Sequence, residues 1–308
     1  MGSIRSLERG QLTPTMILVT GAAGKTGKSV IHRLVEQEKP VKALAFRADQ
    51  IQALERLGAH EVLAGDMRNS DFVQEALQGV DAVYHICPNV HPDEITIGQV
   101  LINAAANVGI THFVYHSVLH PQIEAMPHHW KKMRVEERLF ESGLPYTILQ
   151  PAAYMQNIQA QWKIIIETRK YAVPYAVESR ISMVDLEDVA QAATGILLDV
   201  SEDGDQSLHV GATYELVGTP PMSQTEVAAV LSQCIGYPVH VERTPIEDWV
   251  KNALNSGLGD YQIGTLMKMF KYYEEYGFWG SINALSWLLN RPPTSLDGFV
   301  KRVVDNHV

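Results

Sequence analysis

Several protein classes are excluded by what this chain has little of. It carries two cysteines, Cys87 and Cys234, too few for a disulfide framework or a cysteine-rich zinc site. A reducing, cytoplasmic setting is therefore expected. No stretch reaches the ~18 consecutive apolar residues that cross a bilayer. The segment 100–110 is apolar but broken by Asn103 and Asn107. Positive charge is scarce, with 25 Lys and Arg against 35 Asp and Glu and a net charge of −10. The longest basic run is Trp130-Lys131-Lys132-Met133-Arg134. A phosphate-backbone binder needs a basic face, so neither nucleic acid nor membrane is expected as a partner. No Gly-x-Ser-x-Gly elbow marks a serine hydrolase. No glycine loop ends in Gly-Lys-Ser/Thr after a four-residue spacer, so the chain is not a P-loop protein. Residues 1–15 are polar and lack the apolar core of a signal peptide. They are expected to be a loose leader.

What is present is ordinary globular composition, 46% hydrophobic and 19% charged over 308 residues. At about 150 residues per domain that is enough chain for two domains, or one large domain with an attached lobe. Short apolar runs alternate with helical spacing through the first half. Strands are expected at 16–20, 41–46, 61–64, 82–86, 112–117 and 146–149, with helices between them. That alternation predicts an α/β fold, a doubly wound parallel Rossmann sheet over residues 16–151. After Pro151 the rhythm becomes mainly helical. Residues 152–308 are expected to form a smaller, substrate-covering lobe, with some segments returning to the main sheet. Ser223 followed by Glu226 reads as a capping box opening a helix over 223–235. Ligands of such sheets bind at the carboxyl ends of the strands.

The sharpest motif is Thr20-Gly21-Ala22-Ala23-Gly24-Lys25-Thr26-Gly27, which follows a strand and opens a helix. In that context it reads as a dinucleotide site. Gly21 permits the tight turn, Gly24 lets the backbone approach a pyrophosphate, and Gly27 allows close helix–strand packing. The helix N-terminus adds N–H donors. Ala23, Lys25 and Thr26 complete the cofactor loop. NAD sites carry an acid about 20 residues further on, where it bonds the ribose 2′-hydroxyl. Here that place holds Arg47, whose guanidinium suits a 2′-phosphate. NADP(H) is the expected cofactor, with Asp66 and Met67 on its adenine side.

These residues, with five further segments, resemble the NmrA-like branch of the atypical short-chain dehydrogenases. The segments are Gly65-Asp66-Met67-Arg68, Gly79-Val80-Asp81-Ala82-Val83, His116-Ser117-Val118-Leu119-His120, Lys132-Met133-Arg134-Val135-Glu136 and Thr147-Ile148-Leu149-Gln150-Pro151. The resemblance runs from about Met16 to Val303 and weakens after Pro151. It implies an NADP-linked reductase of quinones, dyes or small aromatic compounds, a cofactor-sensing regulator without turnover, or a tailoring enzyme of secondary metabolism.

Short-chain dehydrogenases normally use Tyr-x-x-x-Lys, the tyrosine as proton donor and the lysine on the ribose. Lys132 fits the lysine position, but four residues earlier stands His128. The catalytic reading takes His128 as the acid near neutral pH, Lys132 as ribose ligand and Ser117 as a hydroxyl near the nicotinamide. The strand ends Cys87-Pro88 and Pro151 to Ala153 are candidates to pass beside the cofactor. Asn89, Tyr154, Met155 and Asn157 are candidates to line the substrate cleft. No metal is expected: of His112, His116 and His120, spaced by four, the first two fall on an expected strand ~13 Å apart, too far to share one ion, and His128 and His129 would diverge on a helix. The aromatic and methionine stripe over 261–276 would suit the cover of an apolar ligand, but such a stripe is more often core or an oligomer face.

The leading expectation is an NADP(H)-dependent reductase of a small, largely apolar carbonyl, quinone or enone, as monomer or homodimer. The alternatives are a non-catalytic NADP(H) sensor with a protein partner, and a non-redox isomerase or rearrangement enzyme that keeps the cofactor bound.

Overall fold

A computed structural model describes residues 16–199 and 207–306. The expected leader at 1–15 lies outside the described residues.

The chain opens as expected. Strand β1 is Ile17–Val19, helix α1 Lys25–Glu36, β2 Val41–Ala45, α2 Ile51–Arg56, β3 Glu61–Ala64, α3 Ser70–Ala76, β4 Ala82–His85, α4 Glu94–Val108, β5 His112–His116, α5 Pro127–Glu141 and β6 Tyr146–Pro151. Then follow β7 Ala153–Tyr154, α6 Gln156–Gln159, α7 Trp162–Thr168, β8 Lys170–Val173, β9 Met183–Val184, α8 Leu186–Leu198, β10 Ala212–Leu216, α9 Gln224–Ile235, β11 His240–Arg243, α10 Ile246–Asn255, α11 Asp260–Tyr276, α12 Asn283–Leu289 and α13 Leu296–Asp305.

Seven strands form one sheet in the order β10-β6-β5-β4-β1-β2-β3, and every pairing in it is parallel. Its central strands are buried on both faces, so they read as continuous apolar runs rather than as alternation. One face is covered by α1, α2, α8 and α12 through Val30, Leu34, Leu54, Val189, Ile196 and Leu285. The other face carries α3, α4 and α5 through Val73, Leu101, Ala105, Val135 and Leu139. Strand order reverses at β1, which pairs with both β2 and β4. The crevice between the ends of β1 and β4 is therefore the ligand-binding switch point of the fold.

The second half of the chain is shared between this body and a lobe. Strand β10 adds to the sheet edge beside β6. Helix α8 lies on α1, where Ser29 Oγ donates to Glu187 at 3.1 Å. The lobe has its own core of Ile158, Trp162, Tyr171, Leu231, Phe299 and Val303. Two carboxylates at the start of α8 anchor the C-terminal segment. Asp185 meets Arg302 at 2.5 Å and Asp188 meets Arg291 at 2.6 Å. The expected capping box is present, with the Ser223 hydroxyl accepting from Glu226 N–H and the Glu226 carboxylate accepting from Ser223 N–H. Helix α13 and the parallel pair β8–β11 go beyond the sequence reading. Among the described residues, no helix is long and apolar enough to cross a membrane.

Candidate active site

The crevice is built by side chains that weld β1 to β4. Thr20, fully buried, donates its hydroxyl to the Ile86 carbonyl at 3.0 Å and accepts from the Ile86 N–H at 2.9 Å. Gly21 follows at φ +57°, and a Cβ there would lie 2.6 Å from Ile86 Cγ2. A Cβ on Gly27 would lie 2.5 Å from the Gly21 carbonyl oxygen and 2.7 Å from Ala22 Cα. Both positions therefore require glycine. Gly24 is the N-cap of α1; it supplies no side-chain cap, and the first turn holds no acid. The first-turn amides are thus left for an anionic ligand, which the helix dipole also favours. This bare cradle fits a pyrophosphate.

Arg47 stands exposed just beyond β2, with its guanidinium on Asp49 at 3.0 and 3.3 Å. An exposed pair of this kind is worth ~0–1 kcal/mol, so it holds the guanidinium only weakly. Asp66 lies beyond β3, and its carboxylate is committed to Arg68 at 2.6–3.0 Å. Those hydrogen bonds hold the Asp66 carboxyl below its usual range. Arg68 also reaches Asp93 at 2.8 Å, bracing the loops after β3 and β4. Met67 packs half-buried against the sheet core.

Beyond β4, Cys87 is 5% exposed, and burial pushes its thiol up and out of nucleophilic range. Pro88 leads to Asn89, which with Val90, Gly257, Leu258, Gln262 and Leu266 lines a pocket of about 220 Å³ under the α10–α11 hairpin. Val90 there is β-branched at φ +48°, a strained conformation of the kind that collects at ligand sites. Lys131 holds the hairpin down. Its ammonium donates to the Pro92 carbonyl at 2.6 Å and sits 4.5 Å from the Tyr261 ring centroid. The stripe on α11 is divided, with Phe270 and Tyr273 buried and Met267 and Tyr276 exposed.

Helix α5 aims two charged residues at the sheet edge. Lys132 Nζ donates to Glu94 Oε1 at 3.0 Å and to the His116 carbonyl at 3.3 Å. Tyr115 Oη donates to the same Glu94 oxygen at 3.0 Å. Glu94 and Lys132 side chains are 4% and 15% exposed, so this is a nearly dry ion pair at the head of α4. One turn along α5, buried Glu136 accepts from the Ser117 hydroxyl, and from the Gln150 amide at 3.0 and 3.1 Å. Burial pushes its carboxyl up. Ser117, 2% exposed, thus directs its hydroxyl into the protein rather than toward a ligand.

His128 opens α5 with its Nδ1 buried and unpartnered. Burial, reinforced by the Lys132 charge, lowers it to about 4. It is neutral at pH 7, which disfavours the acid role expected for it. Strand β6 ends at Pro151 and β7 opens at Ala153, and Tyr154 Oη lies 2.7 Å from His116 Nε2 and 3.5 Å from Thr26 Oγ1 of the glycine loop. Met155 departs from expectation: it is fully buried in the core of the lobe and lines no cleft. Asn157 is exposed on α6.

The structure therefore gathers the glycine loop, Cys87, Pro88, Asn89, Lys132, Pro151, Ala153 and Tyr154 at one end of the sheet. It adds Tyr84, Glu94, Tyr115, His116 and Glu136, which sequence reasoning did not assign to the site. The sequence signals for Glu136 were its place in the resemblance segment 132–136 and its spacing of four from Lys132 on a helix, which places both on one face.

The chain is matched by the model of the NmrA-like family over residues 13–299. The chain belongs to the NmrA-like family. Among curated relatives, it is 28% identical over 288 residues to an NAD(P)H azoreductase of Xenophilus azovorans, covering 93% of this chain and 97% of that one. The solved structure of the NADPH-dependent quinone oxidoreductase 2 of Escherichia coli, complexed with NADPH, superposes with a TM-score of 0.78 at 27% identity, covering 94% of this chain and all of that one. The negative transcriptional regulator NmrA, in complex with NADP, shares the fold at a TM-score of 0.76 and 18% identity, covering 96% of this chain and 97% of that one.

Proposed function

We propose that this member of the NmrA-like family is an NADP(H)-dependent reductase of the atypical short-chain dehydrogenase type. Its substrate is a small, largely apolar acceptor: a carbonyl, a quinone or an enone. The observation that carries the reading is the placement of a bare phosphate cradle and a dry, fixed ammonium at the same strand ends. Gly21, Gly24 and Gly27 admit the pyrophosphate, and Lys25 and Arg47 meet the phosphate charge. Bound NADPH supplies the hydride. Lys132, held by Glu94 and by the His116 carbonyl, orients the ribose and places positive charge where acceptor charge develops. The pocket between Asn89 and Leu266 supplies apolar walls with two carboxamides, Asn89 and Gln262. Such walls suit a flat ligand with few polar groups. Two free cysteines agree with a cytoplasmic setting. The azoreductase and the quinone oxidoreductase named above support the reaction class.

The test is NADPH consumption, followed by absorbance, against a panel of quinones, aldehydes, ketones and enones, with NADPH binding titrated alongside. Binding with turnover is expected. Tight binding with no turnover on any acceptor would favour a sensor. Product formed without net loss of NADPH would favour an isomerase.

A further inference from the structure

The chain lacks the usual helix tyrosine, yet a phenol stands at the glycine loop by another route. The route starts from Tyr84, which is fully buried on β4. Among the described residues its hydroxyl has one hydrogen-bond partner, His116 Nδ1, at 2.5 Å. The other nitrogen of the same ring, Nε2, lies 2.7 Å from Tyr154 Oη. Burial, with the Lys132 charge as second cause, lowers His116 to about 3, so the ring is neutral and carries one N–H.

The proton count then fixes a direction. A buried phenol has one proton, and leaving it unpaired costs ~1–3 kcal/mol. Tyr84 has nowhere to send its proton except Nδ1. That makes Nδ1 an acceptor and places the ring's N–H on Nε2. Nε2–H therefore donates to the Tyr154 oxygen. Thr26 Oγ1 lies 3.5 Å from that oxygen as a second donor. With its oxygen already accepting, Tyr154 keeps its own proton for a partner outside this chain of bonds. Tyr154 is half-buried at the crevice, and Thr26 belongs to the loop that opens α1.

We propose that Tyr154 is the proton donor to the acceptor's oxygen, and that Tyr84 and His116 are positioning residues that turn its hydroxyl outward. This rests on the reductase reading. As hydride from NADPH reaches a carbonyl carbon, the C=O π bond breaks and its oxygen becomes an alkoxide. The Tyr154 O–H bond breaks and a product O–H bond forms. The phenolate left behind is held by His116 Nε2–H and the Thr26 hydroxyl, and it recovers a proton from water. Burial raises the Tyr154 phenol, but an alkoxide is a stronger base still, so the transfer runs downhill.

The first test needs no turnover. Long-range proton–nitrogen NMR of the cofactor-free chain, labelled with ¹⁵N at histidine, should show His116 as the Nε2–H tautomer. Tyr84→Phe, which removes the donor to Nδ1, should move the unprotonated Nδ1 resonance while Nε2 keeps its proton. An Nδ1–H ring in the unaltered chain, or an Nδ1 resonance that ignores Tyr84→Phe, overturns the proposal whatever the chain reduces. The second test is Tyr154→Phe, with aldehydes and ketones as acceptors. It should lower kcat by about 10²–10⁴-fold and leave the Kd for NADPH within twofold. Unchanged kcat in a variant that still binds NADPH overturns the phenol's role and leaves the reductase reading standing. No NADPH oxidation by the unaltered chain overturns the reductase reading and the phenol's catalytic use together.

Discussion

Replacing Glu94 by Gln removes the charge that faces Lys132 and keeps the shape of the side chain. The Glu94 and Lys132 side chains are 4% and 15% exposed and 3.0 Å apart. Breaking a buried pair by neutralising one partner costs about 3–5 kcal/mol, because the other charge is left uncompensated. Lys132 keeps its bond to the His116 carbonyl and an uncharged one to the new amide oxygen, and its partial exposure admits some water, so the lower end, about 3 kcal/mol, applies. Tyr115 loses little, since the new amide oxygen still accepts from its hydroxyl. Removing both charges, in Glu94→Gln with Lys132→Met, leaves no orphan and should cost about 1 kcal/mol or less. The single variant should therefore be less stable than the double. Urea unfolding followed by tryptophan fluorescence reads both numbers. A single variant within about 0.5 kcal/mol of the unaltered chain, or a double variant that loses the sum of its two singles, would refute the buried-pair argument.

Arg47→Ala should weaken NADPH about 10–100-fold, the equivalent of the ~1.5–3 kcal/mol of a charged hydrogen bond, and leave NADH within twofold; equal losses for both cofactors would contradict a 2′-phosphate contact. Gly27→Ala drives a Cβ to 2.5 Å from the Gly21 carbonyl oxygen, so a loss of about 1–3 kcal/mol together with loss of NADPH binding is expected, and a variant that binds normally would show the loop is looser than described. Burial holds His85 and His116 near 3 and His112 and His128 near 4 in the folded chain, whereas unfolded histidine titrates near ~6.5. The unfolded state then binds more protons, so stability is full above pH ~6.5 and falls by about 1.4 kcal/mol per pH unit for each such histidine down to its folded value; a urea midpoint flat between pH 7 and 5 would contradict this. Phe299→Ala empties a side chain that is 2% exposed in the lobe core and should cost about 3–5 kcal/mol with NADPH affinity unchanged.

The strands of the first half were legible because burial makes most of them short, largely apolar runs beside helices with their own period; β3, at the sheet edge with Glu61 exposed, reads as a strand from its place in that alternation. The glycine loop was legible because its chemistry is local: backbone freedom at Gly21 and Gly27, and the missing side chain at Gly24, all sit within one turn. Helix α13 has an apolar face at Leu296, Phe299, Val300 and Val303, but it follows the helices of a lobe whose strands are short, and no preceding strand gave it a rhythm. Glu94 reads locally as an ordinary acid in the first turn of a helix. Only the fold brings Lys132, 38 residues away, onto it. His116 and Tyr84 likewise look like strand residues, and their partnership is made by adjacent parallel strands, not by spacing. Met155 misled for the opposite reason: it follows Tyr154 in sequence, but the chain turns after β7 and buries it in the lobe.

The most direct test of a hydride-transferring reductase is the fate of a label. NADPH deuterated at C4 of the nicotinamide, incubated with the chain and an accepted carbonyl substrate, should give product carrying one deuterium on the former carbonyl carbon, from one face of the cofactor only. Product without deuterium, or label that appears in solvent instead, would contradict the account.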